Sequence, residues 1–358
     1  MTNGVGEFCP DWVSAPGETI VDILRERNVS LAEFARGIEQ TPEQAMALLE
    51  GRASISIALA RRLERSLGAS LEFWISRDLR FRSRGPRLQV LEAEWLASLP
   101  VGDMIRFGWL RPAPLPSEEL GACLRYFGVP SIQAWHHRYA RVERAVAFRT
   151  STAIDSTPGA VAAWLRKGEL EAEEIACGRW NQRTFEDALS RIRALTKRKD
   201  PRRFLPELQE VCAASGVAVV TLRAPAGSRA SGATRFLTST KALLLLSFRY
   251  LSDDHFWFTF FHEAGHLLLH GKESLFLEGA DTLTDAQEEE ANEFAAHKLI
   301  PAEFEEAFGR LRGNSREVIR LAVHAGVSPG IVVGQLQHAG RLRQNQLNGL
   351  KRRYRWNE

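Results

Sequence analysis

Residues 256–270 read FWFTFFHEAGHLLLH, and this stretch determines how the C-terminal half of the chain is interpreted. His262 and His266 are four residues apart, so on an α-helix they lie one above the other on the same face. Two neutral imidazole nitrogens that converge in this way can bind a zinc ion at about 2.0–2.1 Å. Glu263 then lies beside the metal, where it can act on a water molecule as a base instead of serving as a ligand.

A helix at this position has independent support from the residues around it. Ser252, Asp253 and Asp254 offer capping side chains and negative charge at its start, and Gly271 provides a natural stop. Phe, Trp and Leu residues make the helix apolar nearly all round, which predicts that it is buried. These residues alone leave one alternative open, a buried helix whose two histidines are hydrogen-bonded without a metal. A third ligand would favour the metal site.

A second helix is predicted at residues 284–301, which read TDAQEEEANEFAAHKLIP. Its acidic first turn suits the helix dipole. Glu290 shares one helical stripe with Ala291, Phe294 and Ala295, so we predict that Glu290 is the third metal ligand. Three other acids are interpreted as solvated charges, namely Glu288, Glu289 and Glu293. Two histidines and one carboxylate leave an open coordination position, which is typical of catalytic rather than structural zinc.

The motifs HEAGHLLLH and EANEFAAHKLIP resemble the ImmA/IrrE family of zinc metallopeptidases, which are of the gluzincin type. The resemblance extends to three flanking segments, at residues 231–236, 242–247 and 325–337. It implies Zn²⁺ at His262, His266 and Glu290, with Glu263 as the general base. It also implies that the substrate is a regulatory protein, often a helix-turn-helix repressor, cleaved at one or a few sites.

Three short runs before the zinc helix predict a small β-sheet, at residues 217–222, 231–238 and 242–247. In the peptidases that the motif resembles, an exposed strand edge beside the zinc aligns an extended peptide by main-chain pairing. Our candidate edge is Ser231 to Phe236, which contains the predicted substrate-binding residues Gly232, Ala233, Thr234 and Arg235. Arg235 and Tyr250 are candidates to stabilise the oxyanion. The acidic loop at 272–281 is a candidate cover for the cleft.

The N-terminal region predicts a compact helical bundle. Ser30, Thr41 and Ser56 are predicted N-caps, and Gly51 and Gly68 are predicted helix ends. Two short helices, a tight turn and a third, exposed helix form a helix-turn-helix pattern. The pattern is similar to the HigA-like branch of the XRE family, and three segments carry the similarity, at residues 16–20, 48–56 and 67–75.

This similarity implies that DNA binds through residues 30–56, with Gln44 near a base edge and Thr41 nearer the phosphates. Arg52 is a further DNA-binding candidate, and the same domain is a candidate homodimer interface. Two residues depart from the family pattern: Glu39 stands where a glycine is favoured, and Glu43 brings a negative charge toward the groove.

The charge of this region is unusual for a DNA-binding domain. Residues 1–84 contain 11 Arg, no Lys and 12 Asp or Glu, a net charge of −1, whereas such domains are normally basic. A local basic edge is predicted from seven arginines, Arg61, Arg62, Arg65, Arg77, Arg80, Arg82 and Arg84. The alternative is a helical bundle that serves dimerisation or protein contact.

Composition limits the domain organisation and the class of protein. A chain of 358 residues is too long for one typical core. The predicted fold class is mainly α with a small β-sheet (α+β). The predicted divisions are a helix-turn-helix domain (1–84), a helical middle region (85–203), a metallopeptidase domain (204–340) and a basic tail (341–358). The tail is predicted to be a solvated helix or a nucleic-acid contact.

Localisation is predicted from what the sequence contains. No apolar run reaches the length of a membrane span, and residues 1–4 begin no signal peptide. The four cysteines are scattered without C-x-x-C spacing, which favours a reducing compartment. We therefore expect a cytoplasmic protein with no membrane partner.

The leading functional prediction is a site-specific zinc metalloendopeptidase coupled to a DNA-binding module. It would cleave a regulatory protein such as a repressor or antitoxin in a stress, phage or toxin–antitoxin response. One alternative is a non-proteolytic HigA-like transcriptional regulator or antitoxin whose zinc domain senses or binds. Another is a scaffold whose metal site is structural.

Overall fold

The computed structural model describes residues 15–113, 116–149, 157–270, 276–277 and 285–356. The chain divides into two compact units, Met1–Trp95 and Leu96–Glu358. Both are built mainly from helices, and the second also contains a small sheet, which confirms the predicted fold class. The predicted divisions at residues 84, 203 and 340 do not coincide with this boundary.

The first unit contains the predicted series of helices. They are α1 (Pro16–Glu26), α2 (Leu31–Gly37), α3 (Pro42–Leu49), α4 (Ile57–Leu67) and α5 (Leu71–Ser98), the last of which runs past the unit boundary. Ser30, Thr41 and Ser56 are the N-caps of α2, α3 and α4, as predicted, and each side chain accepts a hydrogen bond from a backbone N–H of the first turn. Ile20 and Trp74 are fully buried in the core of this unit.

The first half of the second unit is helical. Its helices are α6 (Val101–Arg106), α7 (Pro116–Phe127), α8 (Ile132–Arg149), α9 (Pro158–Glu174), α10 (Gln182–Leu195) and α11 (Pro201–Ala214). Helix α9 packs against two strands of the sheet, and the side chains of α10 lie in the same core as those of the helix that carries His262 and His266. Helices on the N-terminal side of the predicted division at 203 therefore pack against elements on its C-terminal side.

The sheet has four strands, β1 (Val217–Thr221), β2 (Gly232–Thr238), β3 (Lys241–Leu246) and β4 (Phe276–Leu277), in the order β1-β3-β2-β4. Strands β1 and β3 are parallel, whereas β2 is antiparallel to both of its neighbours. The three predicted strands are confirmed. Strand β4 was not predicted, and it pairs with Ala233 and Thr234. The predicted free edge at 231–236 is therefore occupied at these two residues by a strand from the same chain.

The remaining helices include the one that carries the predicted metal ligands His262 and His266, and four helices that follow it. They are α12 (Asp253–Leu269), α13 (Asp285–Leu299), α14 (Glu305–Arg310), α15 (Ser315–Ala325) and α16 (Pro329–His338). Helix α12 packs against α13, α16, β2 and β3, which explains its apolar sequence. Apart from β4, the predicted cover at 272–281 lies outside the described residues. Among described helices, none alone has the length and hydropathy of a membrane span; α15 and α16 meet those criteria only as a bent pair.

Residues 351–354 of the predicted basic tail pack against the start of α12 and are not solvated, whereas the nucleic-acid contact stays a prediction. Tyr354 is only 5% exposed. Lys351 Nζ lies 2.6 Å from Asp254 Oδ2, and both side chains are buried. The backbone N–H of Arg352 donates to Asp253 Oδ1 at 2.9 Å. Burial raises the pKa of Asp253, and hydrogen bonds from Ser328 and Arg352 oppose that rise. The segment thus supplies donors to two buried carboxylates that would otherwise be costly to bury.

Candidate metal centre and helix-turn-helix surface

His262 and His266 converge at one point on α12. Their Nε2 atoms are 2.9 Å apart, and both side chains are buried. Burial, reinforced by the neighbouring His262 and His270, lowers the pKa of His266 to about 3. The neutral imidazole is therefore the stable form of His266 at physiological pH, and this is the form that binds a metal ion.

Glu288 completes the cluster from α13. Its Oε2 is 3.4 Å from His262 Nε2, and its Oε1 is 3.9 Å from His266 Nε2. The ligand atoms of the three residues all lie within 4.8 Å of one another. Tetrahedral bonds of about 2.0–2.1 Å would place zinc ligands roughly 3.3 Å apart, so the observed spacing fits this ion with little adjustment. Glu288 Oε1 is buried without a hydrogen-bond partner among the described residues, which also fits a ligand atom.

The structure places Glu288, and not the predicted Glu290, with the two histidines. The Glu290 side chain is 61% exposed, and its Oε2 is 3.0 Å from His270 Nε2. Ala291, Ala295 and Leu299 are fully buried and define the inner face of α13. At about 100° per residue, Glu288 lies roughly 20° from the middle of that face and Glu290 roughly 140° from it.

Helix α13 can approach α12 closely because the residue between them is Gly265. A Cβ atom at this position would lie 3.1 Å from Phe294 Cδ1 and 3.4 Å from Ala291 Cα. Glycine inside a helix costs about 0.5–1 kcal/mol relative to alanine. The close packing that it permits brings Glu288 within reach of the histidines, so the glycine of the HEAGH motif serves the site.

Glu263 is fully buried and is held from strand β2. Thr234 Oγ1 donates a hydrogen bond to its carboxylate. A Cβ atom at Gly232 would overlap that carboxylate and would lie 2.6 Å from Thr259 Cγ2. Gly232 and Thr234 are two residues apart on the strand, so they lie on the same face of the sheet, the one that faces α12. These two residues, predicted to bind substrate, contact the predicted general base.

Arg235 and Tyr250, the two predicted oxyanion-stabilising residues, differ in where their side chains lie. Because side chains alternate along a strand, Arg235 faces away from α12, and its Nη1 is 2.5 Å from Oε1 of the buried Glu169. The prediction that Arg235 stabilises the oxyanion is therefore wrong. The Tyr250 ring is 4.3 Å from the His255 ring, at the rim of a cavity that Asn292 also lines.

Further polar side chains, which the sequence analysis did not assign, orient both histidines. His262 Nδ1 is 3.0 Å from Asn292 Oδ1. His266 Nδ1 is 2.9 Å from His270 Nδ1, and His270 in turn contacts Glu290. A metal ion is bound by an Nε2 that carries the lone pair, which leaves the proton on Nδ1 of each ligand histidine. Nδ1–H of His262 then donates to Asn292 Oδ1, and Nδ1–H of His266 donates to Nδ1 of His270. His270 in turn donates from Nε2–H to Glu290 Oε2. Such contacts fix the tautomer of a metal-binding histidine. Helical spacing of four residues, from Glu288 to Asn292 and from His266 to His270, is the signal that could have found them.

The predicted DNA-contacting residues lie at the N-cap of α3, on α3 and shortly after it. Thr41 and Gln44 form a capping box, in which Gln44 Oε1 accepts from the Thr41 backbone N–H at 3.1 Å. This arrangement occupies the amide oxygen and not the amide nitrogen of Gln44. Arg52 is exposed and paired with Glu50. Glu39, in the turn between α2 and α3, has a φ of +52°, the left-handed conformation that favours glycine.

The predicted basic edge is partly neutralised within the unit. Arg62 lies 3.0 Å from Glu39, and Arg82 lies 3.0 Å from Asp78. Arg61 and Arg65 are exposed on α4. The side chains of Arg80 and Arg84 lie outside the described residues. The described part of this edge therefore offers fewer uncommitted cations than the sequence predicts.

Comparison with known proteins agrees with this division of roles. The Peptidase_M78 family, described as an IrrE N-terminal-like domain, matches residues 214–336, which include α12, α13 and the sheet. Over its N-terminal region the chain is similar to the uncharacterized HTH-type transcriptional regulator YddM of Escherichia coli (strain K12), with 41% identity over 61 residues. That match covers 17% of this chain and 65% of the length of the relative. No solved structure matches the chain.

These findings support a fusion of two modules, a helix-turn-helix domain and an ImmA/IrrE-type metallopeptidase domain. The metallopeptidase assignment rests on the family match. The matched residues contain all three members of the metal cluster as well as Glu263.

Proposed function

We propose that the chain is a zinc-dependent endopeptidase joined to a DNA-binding module. One observation carries the proposal: His262, His266 and Glu288 converge, and the buried Glu263 lies next to His262 on α12. The family match supports a metallopeptidase of this type. The identity of the metal, the role of each residue and the substrate are parts of the proposal.

The donor set favours zinc. Two neutral imidazoles and one carboxylate form the ligand combination of catalytic zinc sites, which keep a fourth position open. Zinc bound there would polarise the scissile carbonyl and lower the pKa of a water molecule toward about 7. Asn292 and His270 would hold the two imidazole rings in the required tautomer.

Glu263 would act as the proton carrier. It accepts a proton from the attacking water and passes that proton to the leaving amine. Thr234 donates to its carboxylate and so fixes the orientation of the acceptor. Gly232 leaves the space that this carboxylate occupies.

DNA binding is proposed for residues 30–56. The relative matched in this region is described as a transcriptional regulator with a helix-turn-helix. Gln44 on α3 is the proposed base contact, and Thr41 and Arg52 are the proposed phosphate contacts. The exposed pair of Arg52 with Glu50 contributes about 0–1 kcal/mol, so a phosphate group can displace Glu50 at little cost.

A regulatory protein, such as a repressor or antitoxin, is the proposed substrate. A homodimer through the first unit stays a prediction.

The direct test compares the wild-type protein with Glu263→Gln. We expect Glu263→Gln to bind zinc with the wild-type stoichiometry and to lose at least about 100-fold in hydrolysis of a quenched-fluorescence peptide library. Undiminished hydrolysis would contradict the role of Glu263. Zinc binding with no hydrolysis by the wild-type protein would favour the alternative of a non-proteolytic regulator.

The matched control is Glu210→Gln, an exposed glutamate on α11 that lies outside the metal cluster. It should leave both zinc content and hydrolysis unchanged. DNA binding is tested separately: Glu263→Gln should retain operator DNA, whereas a Gln44→Ala variant should lose it.

A further inference from the structure

A cavity of about 550 Å³ adjoins the metal cluster. It lies among α12, α13 and α16, and apolar side chains such as Phe258, Phe308 and Ile331 line it. Two of its residues also border the metal cluster: Asn292 contacts His262 at 3.0 Å, and the Phe258 ring stacks 6.3 Å from the His262 ring. A group bound in this cavity would therefore lie next to the peptide bond that the site cleaves.

One buried carboxylate oxygen in the lining has no partner. Asp254 is 6% exposed and lines the cavity. Its Oδ2 is 2.6 Å from Lys351 Nζ, whereas its Oδ1 is buried without a hydrogen-bond partner among the described residues. A buried charged acceptor that is left unsatisfied destabilises the folded protein. Asp254 therefore adds to the lining a carboxylate with one acceptor that is not yet satisfied.

The exposed side of the cavity is acidic. Glu289 and Glu293 lie one turn apart on α13, and both line the cavity. In the described part of the chain neither forms an ion pair, and the nearby Lys298 is paired with Glu186 instead. Two histidines, His255 and His338, also line the cavity. Among the described residues that line it there are three carboxylates, and the ammonium of Lys351 is already paired with one of them, Asp254.

We propose that this cavity binds an arginine or lysine side chain of the peptide substrate. The aliphatic stem of such a side chain would pack on Phe258 and Phe308, and its cationic head would satisfy the carboxylates. The peptidase would then select segments with a basic residue next to the scissile bond. The inference rests on the proposed function for the nature of its ligand, but binding can be measured without hydrolysis.

The test uses the full-length Glu263→Gln protein loaded with zinc at pH 8. Fluorescence anisotropy would compare three labelled alanine-rich octapeptides that differ at one central residue: arginine, citrulline or norleucine. Citrulline keeps the shape of arginine and removes its charge. We expect the arginine peptide to bind at least about tenfold more tightly than either neutral peptide, the size of one charged hydrogen bond. Equal binding of the arginine and citrulline peptides, or no binding of any peptide, would overturn the inference.

A double substitution, Glu289→Gln with Glu293→Gln, should reduce the arginine preference to about twofold or less, because it removes the exposed charges of the cavity. Its control, Glu210→Gln with Glu317→Gln, makes the same change in net charge at exposed residues outside the cavity and should keep the preference. An arginine preference unaffected by the first pair would also contradict the assignment to this cavity.

Hydrolysis by the wild-type protein separates the two proposals. Cleavage of all three peptides at equal rates would retain the peptidase and reject the specificity cavity. Tight, charge-dependent binding without any cleavage would retain the specificity cavity and reject the peptidase.

Discussion

The hydroxyl of Thr234 donates a hydrogen bond to the carboxylate of Glu263, and both side chains are fully buried. This bond favours the ionised carboxylate, which is the form that accepts a proton. Thr234→Val keeps the shape of the side chain and removes the donor. We expect hydrolysis to fall by about tenfold and the acid limb of its pH profile to move to higher pH, with zinc affinity unchanged.

The comparison for that variant is Thr221→Val, the same substitution on strand β1 of the same sheet. Thr221→Val should leave the pH profile of hydrolysis unchanged. An unshifted profile in Thr234→Val would show that the bond does not tune Glu263.

Glu288 and Glu290 should differ in their effect on zinc binding. Glu288→Gln removes a charged ligand from the cluster, so zinc affinity should fall by more than about 100-fold. Glu290→Gln acts only through His270 and His266, and a loss of about tenfold is expected. Competition with a chromophoric chelator measures both values. The reverse order would restore Glu290 as the ligand.

Glu39 offers a test of backbone strain in the helix-turn-helix. Its φ of +52° costs a non-glycine residue about 1 kcal/mol. Glu39→Gly and Glu39→Ala both lose the exposed pair with Arg62, but only glycine relieves the backbone. The glycine variant should therefore be the more stable of the two by about 1 kcal/mol in urea unfolding. Equal stabilities would argue against the left-handed turn.

The metal-free protein should lose stability as the pH falls below about 6.5, in part because of His266. The pKa of its imidazole is lowered to about 3 in the folded state, so the unfolded chain binds the extra proton first. The stability that the neutral imidazole provides is present above the ordinary pKa and is lost between about pH 6.5 and 3.

Thermal melting in the presence of chelator measures this dependence. His266→Gln should flatten it between pH 6.5 and 4, because glutamine takes up no proton. His324→Gln, an exposed histidine on α15, should not. Identical slopes in the two variants would contradict the assignment.

Features that depend on neighbouring residues could be predicted from the sequence. The caps at Ser30, Thr41 and Ser56, the helix around His262 and three strands all follow from local patterns, and the structure contains them. Local patterns do not decide which glutamate of α13 joins the two histidines. Ala291 and Ala295 fit both candidate faces, and Phe294, which favours the face of Glu290, is only partly buried.

The fully buried Leu299 would have indicated the correct face, but its burial depends on α12 and is not visible in a single helical pattern. The same limit applies to β4 and to the segment after residue 340. Both are held by partners distant in the sequence: Ala233 and Thr234 for β4, and Asp253 and Asp254 for the C-terminal segment.

The contact between Arg352 and Asp253 spans 99 residues, and it has a consequence for synthesis on the ribosome. The first unit is complete by about residue 95 and can fold early, since domains fold as units in the order of their synthesis. The helix that carries His262 and His266 receives the partners of its first turn only when Lys351 and Arg352 have emerged. The helix-turn-helix therefore matures before the metal centre, and a chain interrupted between them would carry the first module without a finished second one.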